Sequence, residues 1–193
     1  RPVRIHGRTF YGPIIRTDEL LDDAVLGPWV VARRGPKILV ATQTRAIEAW
    51  VDEKGIAMPS TPAITVTPKR AADLWKVAAA LLAPATAAEA WWRHAGAGMS
   101  AQAIRVSASQ LRALPAPGNH AAWGRAARAL AAWQRLGTIA ARDEFAGLMC
   151  DAYGVPAGAA RERLLAWWRV AVTDARDGAA AASVRAPDRS RVR

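Results

Sequence analysis

Two hydrophobic periods divide the chain. Up to about Thr67, apolar residues come in short alternating or β-branched runs closed off by Gly and Pro. From Lys69 onward they recur three and four residues apart. The first pattern predicts short strands and the second predicts amphipathic helices. Pro2 to Tyr11 reads as a hairpin, with Val3, Ile5 and Phe10 apolar and Gly7 at the turn. Ile14-Ile15 suggests a further short strand, and Thr17 to Leu21 a capped turn of helix. Trp29 to Arg34 is expected as a strand, Gly35-Pro36 as a tight turn, and Lys37 to Thr42 as the return strand. In Ala46 to Asp52, Ile47, Ala49 and Val51 alternate with Glu48 and Trp50, which suits a half-buried strand. Ala63 to Thr67 adds another, and these strands are expected to pair mostly antiparallel.

After Lys69 the period changes. Lys69 to Ala83 predicts a helix that buries Leu74, Trp75, Val77, Ala78, Leu81 and Leu82. Pro84 suits the first turn of a second helix running to His94 and ended by Gly96-Ala97-Gly98. Ala103 to Ser107 predicts a short strand, and Ser107 with Gln110 has capping-box spacing for a helical turn stopped by Pro115 and Pro117. Three helices follow: Asn119 to Leu136, Thr138 to Tyr153 and Ala157 to Val172. The fold class is therefore α+β. Short, mostly antiparallel strands and two packed helices occupy residues 1–117, and a helical subdomain occupies 118–172. From Thr173 the composition turns to Ala, Arg, Asp, Ser and Pro, which predicts a disordered basic tail over 173–193.

Composition and charge sharpen this outline. Hydrophobic residues make up 52 % of the 193 residues, enough for a substantial core, and the nine tryptophans are expected in that core or between helices. The net charge of +11 points to a polyanionic partner, although an Ala- and Arg-rich composition alone gives the same sign. A single cysteine, Cys150, forbids an internal disulfide, fits a reducing cytoplasmic setting, and reads as a small core residue. No apolar run is long enough to span a bilayer, so no membrane partner is expected. The chain opens on Arg1 rather than Met, which suggests a piece of a longer protein.

Catalytic motifs are not legible. Gly96-Ala-Gly-Met-Ser lacks the lysine and the strand-to-helix setting of a phosphate loop. His6, His94 and His120 are scattered and the lone cysteine adds no ligand spacing, so no metal site is expected. The acid pairs Asp18-Glu19, Asp22-Asp23, Asp52-Glu53 and Asp143-Glu144 are explained by turns and helix starts. Binding residues are better supported. Arg33, Arg34, Lys37 and Arg45 surround one predicted hairpin, and Thr42, Gln43 and Thr44 stand at its exit. Arg and Lys suit phosphate, whereas Gln and Arg can pair bidentately with purines in the major groove. Arg70 adds a phosphate anchor. Ser60, Thr61 and Lys69 are expected to flank this surface, with Arg93, His94, Met99 and Ser100 as a second contact.

Three segments resemble the target-recognition region that follows the catalytic domain in N6-adenine DNA methyltransferases of restriction-modification type. Gly35-Pro-Lys-Ile-Leu-Val-Ala-Thr-Gln-Thr-Arg45 is similar to the strand that enters the recognition sheet. Pro59-Ser-Thr-Pro-Ala-Ile-Thr-Val66 leads to a helix, Leu74 to Leu82, with a similar Leu-Leu-X-Pro stop. Ala95 to Ser100, Ile104 to Ser107 and Leu111-Arg-Ala-Leu-Pro-Ala-Pro117 resemble the glycine loop, short strand and exit of such domains and of specificity subunits. The resemblance covers Arg1 to Pro117. It implies a reader of double-stranded DNA for an enzyme that uses S-adenosylmethionine. The family's Asn/Asp-Pro-Pro-Tyr/Phe motif and its glycine-rich cofactor motif are absent from the chain. No catalytic or cofactor-binding residue is carried over, and the catalytic domain is expected upstream or on another chain. The alternative is a protein-interaction module that docks a partner subunit through Trp123, Trp133, Trp167 and Trp168.

Overall fold

A computed structural model of the chain describes residues 3–5, 8–10, 20–59, 62–95 and 103–184, with side chains placed for those between 20 and 172. The expected strand at Ile14-Ile15, the loop 96–102 and the last residues, 185–193, lie outside this set. The fold is α+β with antiparallel sheets. Strands β1 (Val3–Ile5) and β2 (Arg8–Phe10) pair as the expected hairpin, Val3 opposite Phe10.

The organising strand is β3, Lys37–Ala41. It lies between β5 (Ala49–Asp52) and β6 (Ala63–Val66), antiparallel to both. Ile38 and Val40, both fully buried, are the β-branched residues of its inner face, where stiff side chains pack well on a pleated surface. Between β3 and β5 the short strand β4 (Gln43–Thr44) leaves the sheet and pairs with β7 (Ile104–Arg105).

The sheet is covered by helices whose boundaries follow from their caps. Helix α2 (Leu74–Leu82) packs on β5 and β3 after a 3-10 turn at Ala71–Asp73. Ala83 is extended, and Pro84 opens α3 (Pro84–His94), where its missing N–H is one that has no intrahelical partner. Ser107 and Gln110 make the full capping box at α4 (Ala108–Arg112). Asn119 and Thr138 cap α5 (His120–Leu136) and α6 (Ile139–Ala152) through the N–H groups of Ala122 and Ala141. Gly137, at φ 69°, ends α5 in the left-handed conformation that a side chain disfavours.

Alanine sets the helix spacing. The faces that α2 and α5 bury include Ala78 and Ala79 on one and Ala122, Ala126 and Ala129 on the other, so the helices can pack closely. Further out, Trp133, Phe145 and Trp168 interlock with ring centroids 5.6 to 6.1 Å apart. Cys150 is buried in α6, as its apolar context suggests, and burial pushes its thiol pKa up, so it is a poor nucleophile. Tyr153 joins three segments: its hydroxyl accepts from Thr86 (2.8 Å) and donates to the Pro115 carbonyl (2.9 Å).

Two elements differ from expectation. Trp29 to Arg34 is not a strand; Leu26–Arg33 forms helix α1. The β-branched pair Val30-Val31 beside a tryptophan favours a strand locally, but Asp23 caps the segment and Pro28 is tolerated in its first turn. One hydrophobic cluster runs from Ile38 and Val51 in the sheet to Met149 and Trp168 in the helices. Helix α7 (Ala159–Val184) continues past Thr173, because its alanines have the highest helix propensity.

The sheet and the helices are also joined by a single amide. Val51 faces Ile38 in the ladder, and its N–H and C=O point away from β3 at the sheet edge. Gln134 of α5 accepts from that N–H (2.9 Å) and donates to that C=O (2.7 Å), closing the edge as another strand would. Gln134→Ala should lower stability by about 1–3 kcal/mol, the range for stranding buried polar groups. Urea unfolding should show a lower midpoint at unchanged slope. An unchanged midpoint would mean that the edge does not need the amide.

Candidate nucleic-acid interface

The register of the sheet sorts the basic residues into two groups. Lys37 opposes Asp52, and Ile38 opposes Val66. The end of α1, the turn after β5 and the exit from β6 therefore meet at one end of the sheet. This end carries Arg33, Arg34, Lys54, Lys69 and Arg70, all exposed. Arg33 lies over the Trp29 ring, 4.1 Å from its centroid, and donates to the Trp29 carbonyl (3.3 Å). Arg70 makes a loose pair with Asp73 (3.7 Å) and remains mostly exposed. Thr42, Gln43, Thr44 and Arg45 lie at the other end of β3. At about 3.4 Å per residue, roughly 14 Å separates the two ends. The predicted cluster is therefore two clusters.

Lys37 belongs to neither. Its side chain is sealed inside the fold, 3 % exposed, and its ammonium pairs with Asp52 at 2.7 Å. It also donates to the Gly35 carbonyl (3.1 Å). The expectation that Lys37 anchors phosphate is corrected on that ground: the ladder with β5 sets it opposite an acid. Asp52 also accepts from the N–H groups of Ile56 (3.1 Å) and Ala57 (2.8 Å), so the pair also folds the following turn. Gly55, at φ 67°, sits in that turn, and a Cβ there would collide with the Gly35 backbone.

Within the exit cluster the structure is selective. The Thr42 carbonyl accepts from Val106 N–H (3.0 Å). The Thr44 hydroxyl is turned onto the Ala46 carbonyl, and Arg45 is half-buried. Gln43 is exposed. Opposite it in the β4–β7 ladder stands Arg105, also exposed, which sequence reasoning does not single out. No local signal marks Arg105; only the pairing of two segments distant in sequence does. In the expected second contact, Arg93 pairs with Glu89 (2.6 Å) and His94 meets Gln110 (3.1 Å). Ser60, Thr61, Met99 and Ser100 lie outside the described residues.

The tryptophans named for partner docking have partners within the chain. Trp168 and Trp133 are buried, Trp123 donates to the Lys76 carbonyl (2.7 Å), and Trp167 packs edge-on against Trp91 (6.3 Å). Among the described residues, no cluster of three potential metal ligands occurs, and no helix is long and apolar enough to cross a membrane.

Two outcomes test this placement. Lys37→Met leaves Asp52 as an uncompensated buried charge and should destabilise by about 3–5 kcal/mol in chemical denaturation, far more than loss of an exposed lysine. Asp23, at the start of α1, accepts from Leu26 N–H (2.7 Å) and Val25 N–H (2.8 Å), which hold its carboxyl below the usual range. With the folded pKa depressed, the cap's contribution is complete above the unfolded value of about 3.9 and is lost as pH falls through the folded one. The Leu26 amide resonance should titrate with a midpoint below that of an unstructured aspartate. Compared with known protein families, curated proteins and solved structures, the chain matches none.

Proposed function

We propose that this chain is the DNA-binding target-recognition part of an S-adenosylmethionine-dependent N6-adenine DNA methyltransferase of restriction-modification type. Its catalytic domain lies upstream or on another chain. The three resembling segments support the reading. So does the gathering of Arg33, Arg34, Lys54, Lys69 and Arg70 at one end of the sheet, the observation that carries most weight. Five exposed cations at that end, against the exposed Glu53, in a chain of net charge +11, favour a polyanion. Phosphate anchoring belongs to that end and base contact to the end bearing Gln43. The roughly 14 Å between them is comparable with the major-groove width of about 12 Å, so one duplex can reach both. The buried lone thiol suits work in the cytoplasm.

Binding of the whole chain to a fluorescent duplex of random sequence, followed across salt concentration, tests this. Affinity should fall linearly on logarithmic axes, with a slope of about −0.9 per neutralised phosphate. The triple change Arg33→Glu, Arg34→Glu, Arg70→Glu should weaken binding and flatten the slope by about one for each phosphate that is no longer neutralised. Affinity indifferent to salt, or unmoved by the triple change, would end the proposal.

A further inference from the structure

We infer that Arg105 and Gln43 act as a matched pair that reads two neighbouring base pairs in the major groove of duplex DNA, guanine by Arg105 and adenine by Gln43. The inference rests on the DNA-recognition reading above and adds a specificity residue to it.

The β4–β7 register sets Gln43 directly across from Arg105 and Thr44 across from Ile104. Val106 N–H bonds the Thr42 carbonyl one step further along (3.0 Å). In an antiparallel ladder, hydrogen-bonded and non-bonded positions alternate, so Gln43 and Arg105 occupy the non-bonded position. There the Cα atoms approach to about 4.5 Å and the side chains lie closest. Both project from the same face.

Their outward direction is fixed by what flanks them. Ile104 is fully buried and Val106 nearly so, which leaves Arg105, between them, facing solvent. Thr44, next to Gln43, is turned inward onto the Ala46 carbonyl. Neither Gln43 nor Arg105 makes a side-chain hydrogen bond or ion pair among the described residues. Two donor-bearing groups therefore stand side by side with their hydrogen-bonding capacity open to a ligand.

Their chemistry is complementary to purine edges. An arginine fork matches guanine O6 and N7, and a glutamine amide matches adenine N6 and N7. Cross-strand Cβ atoms about 5 Å apart, carrying flexible side chains, suit bases stacked about 3.4 Å apart. A two-stranded ribbon is also narrow enough to enter the major groove.

The test is selection of the whole chain on a pool of random-sequence duplexes, followed by affinity measurements on the enriched duplex and its single-base variants. The unaltered chain should enrich a motif with guanine and adenine on neighbouring base pairs. Arg105→Ala should lose about 5- to 150-fold of discrimination at the guanine and keep the adenine preference. Gln43→Ala should do the reverse. Arg105→Lys keeps the charge but loses the fork, so it should lose the guanine preference as Arg105→Ala does. Unchanged thermal midpoints are expected for all three variants, because both sites are exposed. If Arg105→Ala weakens every sequence equally and leaves the motif intact, Arg105 is a phosphate anchor and the pair is refuted. Salt-dependent binding with no enriched motif also refutes the pair but leaves the DNA-binding reading standing. No salt-dependent binding to any duplex overturns both.

Discussion

A lysine ammonium and an aspartate carboxylate, withdrawn from water together, hold the end of the sheet on which the fold is built. Burying each ion alone costs several kcal/mol, and attraction between them offsets that only if the remaining donors and acceptors are met. Here they are. Asp52 takes two backbone N–H groups besides Lys37, and Lys37 reaches the Gly35 carbonyl as well. The same bonds curl the turn after β5 back onto Gly35, where Gly35 N–H meets the Gly55 carbonyl (3.3 Å). The exposed cations project from that closed frame, so a buried salt bridge positions a basic surface to which it contributes no free charge.

The helices complete the frame. A three-stranded sheet with two free edges is a poor domain, because each edge presents unpaired backbone groups. Gln134 satisfies one edge with a side chain, and the capped α5 supplies it from a long, regular helix. This bond joins the sheet to an aromatic cluster of Trp133, Phe145 and Trp168. The tryptophans thereby serve the internal cohesion of an alanine-rich bundle, whose small side chains bring helices close but bury little area each.

On the proposed DNA-binding reading, the arrangement separates two tasks along one strand. Charge at one end of β3 is independent of base chemistry, because phosphates are alike in every sequence. The amide and guanidinium at the other end carry directional hydrogen-bonding groups, and a paired ribbon restrains them more than a loop does. Between the ends, β3 is fully buried at Ile38 and Val40, so their separation is set by the core.

The class of fold, the strands β3, β5 and β6, and the boundaries of α3, α5 and α6 are legible in the amino-acid order alone. Those features depend on residues a few positions apart: alternation, three-and-four spacing, and caps at Ser107, Asn119 and Thr138. Cys150 inside a helix is legible for the same reason. Other features emerge only when segments far apart along the chain meet. Trp29-Val30-Val31 has strand propensity, yet the Asp23 cap and the burial of Gly27 and Val30, three residues apart on one face, make it a helix. Lys37 looks like any surface lysine until β5 folds alongside and sets Asp52 against it. Arg105 is an ordinary arginine until β7 joins β4 and brings it beside Gln43. Propensity and period act locally, whereas strand pairing acts between distant segments, so most elements could be read from the chain and the long-range neighbours could not.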